Sequence, residues 1–113
     1  VRVYVLGNRI AKTMMRYSAD GDFRSNLGQG GDAQPYPLDT ETLQHVEHIL
    51  SLFSFDLVGI DFIFHQGKLV FNEIEDAVGP RMLYIHTEMD IVSMYLDHIL
   101  ERISLTSNNN VTI

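Results

Sequence analysis

Residues 57–75 read LVGIDFIFHQGKLVFNEIE. Two β-prone runs, 57–64 and 69–74, flank the turn-forming tetrad His65-Gln66-Gly67-Lys68. Strands joined this closely pair antiparallel, because a parallel pair needs a crossover of about a dozen residues or more. The runs are too apolar to stand alone in water, so the hairpin needs further strands beside it and helices over it.

The rest of the chain can supply both. Val1, Val3 and Val5 alternate with Arg2, Tyr4 and Leu6, a strand pattern that ends at the turn pair Gly7-Asn8. Residues 9–17 can return as its partner. Residues 18–37 are loop-like, with a short edge strand allowed near Gln34–Tyr36 because Pro35 and Pro37 exclude a central one. Asp39-Thr40-Glu41-Thr42 carries a plausible N-cap, and Leu43, Val46, Ile49, Leu50 and Phe53 form one stripe of a helix over 40–54. Glu75–Leu83 reads as a loop around Gly79-Pro80. A second helix is expected over 88–103, with Arg102 a helix-end charge far from any motif. The order β-β-loop-α-β-β-α predicts an α+β domain over 1–104, an antiparallel sheet covered by two helices, then a polar tail over 105–113.

The hairpin also carries acid. If its loop has an odd number of residues, Asp61, Glu73 and Glu75 share one face of the sheet, the face away from the helices. An even loop sets Asn72 opposite Asp61 and breaks the arrangement. Carboxylates crowded beside Ile63 and Phe71 repel one another and need a positive partner. A hard divalent cation held by oxygens is one answer, Mg²⁺ being typical where phosphates complete the shell. The other is structural: Asp61 pairs with Lys68 or Arg81, and Glu75 and Asp76 are a solvated strand end.

Four of the chain's eight glycines fall in GDFRSNLGQGG, residues 21–31. Glycines let backbone N–H groups converge on an anion, and Arg24 adds a permanently charged fork. Ser25 and Asn26 add short hydrogen-bonding groups. The loop lacks the Gly-Lys-Ser/Thr of a Walker A sequence and, taken alone, is better described as a surface loop whose glycines serve turns. A formal charge of −7 disfavours nucleic acid or an anionic membrane as a partner. The chain has no cysteine, which excludes thiolate metal sites and fits a reducing compartment. His45, His48, His65, His86 and His98 show no metal-binding spacing.

Taken together, GDFRSNLGQGG, LVGIDFIF with Asp61 placed 37 residues after Arg24, and LVFNEIE with Glu73 twelve further on resemble the C-terminal half of the ATP-grasp fold. The likeness is greatest to RimK-type glutamate ligases and runs from Val1 to Arg102. The resemblance implies an ATP-dependent carboxylate–amine ligase working through an acylphosphate. Its cofactors would be ATP and Mg²⁺, or Mn²⁺ in its place. Its substrates would be a carboxylate and an amine from an amino acid, peptide or protein terminus, in the cytoplasm. It assigns Arg24, Ser25 and Asn26 to the phosphates and acylphosphate, with Arg24 catalytic, and Asp61 and Glu73 to the metal. Glu75 stands where the family has Asn, as a third metal-site carboxylate. Arg81 either meets a substrate carboxylate or offsets Glu75 and Asp76. The family's nucleotide lies between two lobes, so this chain is expected to be a half-site cut from a longer protein and inactive alone. Homo-oligomerisation stays open. The rival from another class is a non-catalytic module that keeps the ATP-grasp shape.

Overall fold

Two tight hairpins build the centre of the sheet. The computed structural model describes residues 1–18, 31–76 and 78–110. Strands β1 (Arg2–Leu6) and β2 (Arg9–Ser18) turn at Gly7 and Asn8, both with left-handed φ, 59° and 61°. Strands β4 (Leu57–His65) and β5 (Lys68–Glu75) turn at Gln66 and Gly67, with φ 52° and 79°. Paired positive φ values give the two-residue turn whose twist matches that of the strands it joins. Strand β3 (Gly31–Pro35) adds at one edge, one side of Pro35 facing outward as an edge proline requires. The five-stranded order is β3-β2-β1-β4-β5, antiparallel throughout.

Helix α1 (Thr40–Leu52) begins where the sequence places it. Asp39 caps it twice over: Oδ1 accepts from the Thr42 backbone N–H at 2.7 Å, and Oδ2 from the Thr42 hydroxyl at 2.9 Å. These bonds hold the exposed Asp39 carboxyl below its ordinary range. Val46, with Ile49 and Leu50 beside it, covers Val3, Val5, Val58, Ile60 and Phe62. Each fully buried side chain of this size contributes about 1.5–3 kcal/mol.

The other helices lie across the opposite face. Met82 and Leu83 of α2 (Arg81–His86) and Ile91 of α3 (Ile91–Asn110) pack on Tyr4, Met14 and Ala33. The sheet is therefore covered on both faces by three helices, where the sequence suggests two. A six-residue helix that starts inside the expected 75–83 loop and ends at His86 is too short to show a periodicity. Helix α3 also runs on to Asn110, past the expected end at 103.

Polar ties fix how these layers sit. Asn8 donates Nδ2–H to the Leu50 carbonyl at 2.9 Å and accepts from the Phe55 N–H at 3.0 Å, joining the first turn to the end of α1. Arg102 is not an isolated charge: with His98 it meets Asp56, joining α3 to the loop before β4. Among the described residues, no helix is long and apolar enough to cross a membrane.

Candidate functional site

The turn of the acidic hairpin is even, yet its carboxylates converge. From the pair His65↔Lys68 the ladder runs regularly to Phe62↔Phe71. Continued without change, it would set Asn72 against Asp61 and turn Glu73 to the other face. Instead the register shifts between Asp61 and Phe62, so that Asp61 faces Glu73 and Gly59 faces Glu75. Asn72 is the extra residue of this β-bulge. The odd-loop premise is thus replaced by an even loop plus one bulged residue, which has the same parity.

The result is a cluster in which one carboxylate oxygen from each of Asp61, Glu73 and Glu75 lies within 4.8 Å of the others. Asp61 and Glu75 are partly buried and Glu73 is exposed. The cluster lies on the face away from α1. That face is shared with α2 and α3, which corrects the expectation that it would be clear of both helices. The physical reason is the alternation of β4: Val58, Ile60 and Phe62 point to α1, whereas Leu57, Gly59 and Asp61 point the other way. On that face α2 packs against the edge strand β3, and α3 is tied by His98 and Arg102 to Asp56 just ahead of β4, at the end of that strand remote from Asp61.

The positive partner is Arg2, not Lys68 or Arg81. Lys68 closes the hairpin tip opposite His65, at the far end from Asp61. Arg2 pairs with Asp61 across β1 and β4. Its Nε donates to Oδ1 at 2.8 Å and its Nη2 to Oδ2 at 3.0 Å. Nη2 also donates to Glu75 Oε2 at 2.8 Å. The hydrogen bonds to Asp61, above all, hold the guanidinium above its ordinary range. Sequence reasoning missed Arg2, although it is the one charge within VRVYVL. A charged side chain in an internal strand calls for a partner, but nothing in sequence says which strand lies beside it.

Two further residues shape the floor. Gly59 lies beneath Arg2 and the chain that leaves β5. A Cβ there would stand 2.8 Å from Val78 Cγ2 and 3.3 Å from Arg2 Cδ. The buried Tyr4 donates its hydroxyl to the Gly79 carbonyl at 3.1 Å and holds that chain down, and burial pushes the phenol pKa up.

Three convergent carboxylates suit a hard divalent cation, and the donor set fits Mg²⁺ or Mn²⁺. Arg24, Ser25 and Asn26 lie outside the described residues. A concave surface of about 450 Å³ lined by Ile10, Lys12, Pro35, Tyr36, Leu38 and Leu43 includes none of the carboxylates.

The chain is similar in sequence to known proteins. The chain is 29% identical over 108 residues to a probable alpha-L-glutamate ligase of Vibrio parahaemolyticus, covering 96% of this chain and 36% of that protein. It is 28% identical over 99 residues to one of Photobacterium profundum and 27% identical over 99 residues to one of Haemophilus influenzae, each covering 88% of this chain and 33% of the relative. The chain thus spans about a third of the length of these curated relatives. Residues 1–99 match the family described as the RimK-like ATP-grasp domain. With that match over most of its length, the chain belongs to the RimK-like ATP-grasp family.

Proposed function

We propose that this chain is the C-terminal lobe of an ATP-dependent carboxylate–amine ligase, with glutamate as the first substrate to test, after the names of its relatives. The observation that carries the reading is the convergence of Asp61, Glu73 and Glu75 on one face by means of the bulge. In the proposed reaction a substrate carboxylate oxygen attacks the γ-phosphorus of ATP and ADP leaves. The amine nitrogen then attacks the acyl carbon of the acylphosphate, phosphate leaves, and the amine proton passes to solvent.

The roles of the residues follow from charge. Asp61 and Glu73 hold the metal, with Glu75 as a third carboxylate that adds negative charge where the family has Asn. A bound Mg²⁺ supplies neutralisation of the phosphate oxygens. Arg24 faces charge that grows as the phosphoryl group moves, and Ser25 and Asn26 orient the phosphates. The rest of the nucleotide site, and selection of the amine, are assigned on this reading to a second lobe outside this chain, which spans about a third of its relatives' length. The chain alone is inactive on this reading.

The test is ADP release by the complete enzyme carrying this lobe, with glutamate and an amine acceptor. Asp61→Asn and Glu73→Gln should each abolish turnover with the fold intact by circular dichroism. Arg24→Ala should lower kcat about a hundredfold with little change in the KM for ATP. Full turnover in Asp61→Asn would refute the metal assignment. ATP binding without any turnover in the unmutated enzyme would favour the non-catalytic module.

A further inference from the structure

Arg2 is placed to do more than neutralise. Its guanidinium engages both oxygens of Asp61 and one of Glu75, at 2.8, 3.0 and 2.8 Å. Two of the three carboxylates that converge here are thus already held by a cation from the neighbouring strand. The reach to Glu75 crosses from β1 over β4 to β5, and Gly59 makes it possible: a Cβ there would lie 3.3 Å from Arg2 Cδ and 3.4 Å from Nε. Val78 packs over the same glycine, so the Arg2 side chain and the chain leaving β5 share the space above it. Both Asp61 oxygens and one of Glu75 already accept from the fork, so a divalent cation there competes for the same oxygens and repels the guanidinium's charge.

We infer that Arg2 is a built-in counter-cation, and that metal loading at Asp61, Glu73 and Glu75 is an exchange in which the guanidinium must leave. The inference rests on the metal reading proposed above and adds how that site is kept closed without metal. The planar fork matters as well as the charge. An ammonium at the same position cannot span both Asp61 oxygens and Glu75 at once. Exchange makes the metal affinity of the site lower than three carboxylates alone would give, and it couples metal entry to a side-chain movement on β1.

The experiment uses this chain, with two readouts. In the unmutated chain, Mg²⁺ is titrated while the Arg2 Nε–H resonance is followed by ¹H–¹⁵N NMR. The signal should shift, and its exchange with solvent should speed up, along one saturating curve. In parallel, Mn²⁺ binding is measured by electron paramagnetic resonance in the unmutated chain and in Arg2→Lys, Arg2→Met and Asp61→Asn. Arg2→Lys should bind a few-fold tighter and Arg2→Met about tenfold tighter, the scale of one nearby charge removed.

Equal Mn²⁺ affinity in Arg2→Met and the unmutated chain overturns the exchange and leaves the metal site standing. So does an Arg2 resonance that ignores saturating Mg²⁺, a readout that does not depend on any variant folding. Arg2→Lys binding no tighter than the unmutated chain overturns the role of the fork. Mn²⁺ bound as well by Asp61→Asn, or by no form of the chain, overturns the metal reading and the exchange with it.

Discussion

Gly59→Ala isolates how closely the site is packed. Gly59 lies in the interior of the sheet, between Tyr4 on β1 and Glu75 on β5. It has no left-handed φ, so alanine adopts its backbone without strain. Relieving glycine's excess freedom should then stabilise the chain by about 0.5–1 kcal/mol. Against this stands the new methyl, 2.8 Å from Val78 Cγ2 and 3.3 Å from Arg2 Cδ. Val78 is β-branched and stiff about χ1, so it cannot swing aside freely. Overpacking of this kind costs about 1–3 kcal/mol, which exceeds the entropic gain. The net expectation is a loss of about 1–2 kcal/mol in urea denaturation. The partner substitution tells sterics from other causes: Val78→Ala removes the obstructing methyl, so the double variant should recover at least about 0.5 kcal/mol relative to the sum of the singles. A Gly59→Ala chain as stable as the original, or a strictly additive cycle, would refute the argument that packing selects glycine here.

Three other outcomes follow from the contacts. Asn8→Gly keeps the left-handed turn but loses both side-chain hydrogen bonds, and should cost about 1–2 kcal/mol in chemical denaturation. Asn8→Ala should cost about 1 kcal/mol more, because alanine disfavours a φ of 61°. The hydrogen bonds from His98 first, and from Arg102, hold the Asp56 carboxyl below its ordinary range. The stability this gives is full above the ordinary carboxylate pKa and is lost as pH falls through the lowered folded value. Thermal melts across acid pH should therefore show a shallower decline for Asp56→Asn, and an unchanged slope would remove Asp56 from the account. Phe62→Ala, at a ring only 1% exposed, should cost about 3–5 kcal/mol in the same denaturation assay.

The hairpins, α1 and the antiparallel class are legible in sequence because each rests on local chemistry: paired turn residues, a capping aspartate, an apolar stripe. What is not legible is nonlocal. Period-two reasoning tells which residues share a face only while the ladder is unbroken, and both hairpins shift register, near Tyr4 and Val5 in one and at Asp61 and Phe62 in the other. The face chosen by α3 is equally hidden. Its sequence offers apolar residues on two sides, and the fold buries Ile91 while leaving Val92, Leu96 and Ile103 exposed. Arg2 is identified as the partner of Asp61 only once β1 is known to lie beside β4. Arg24, Ser25 and Asn26 rest on the resemblance alone.

The bulge at Asn72 has a consequence for how this hairpin can vary. Everything beyond it, from Phe62 round to Phe71, forms an arm whose length is independent of the carboxylates. Residues added to or removed from the arm in opposed pairs, two per strand, keep the facing of each side chain and leave Asp61 against Glu73. A single insertion at the turn does not, because it reverses the outlook of one strand of the arm before the bulge is reached. Chains of this kind should therefore tolerate a longer or shorter tip far better than a one-residue change in its turn, and grafted tips of different even lengths should keep the Arg2–Asp61 pairing intact. The carboxylate cluster is insulated from its own hairpin end, which leaves the tip beyond the core residues Phe62 and Leu69 open to divergence while the carboxylates stay in place.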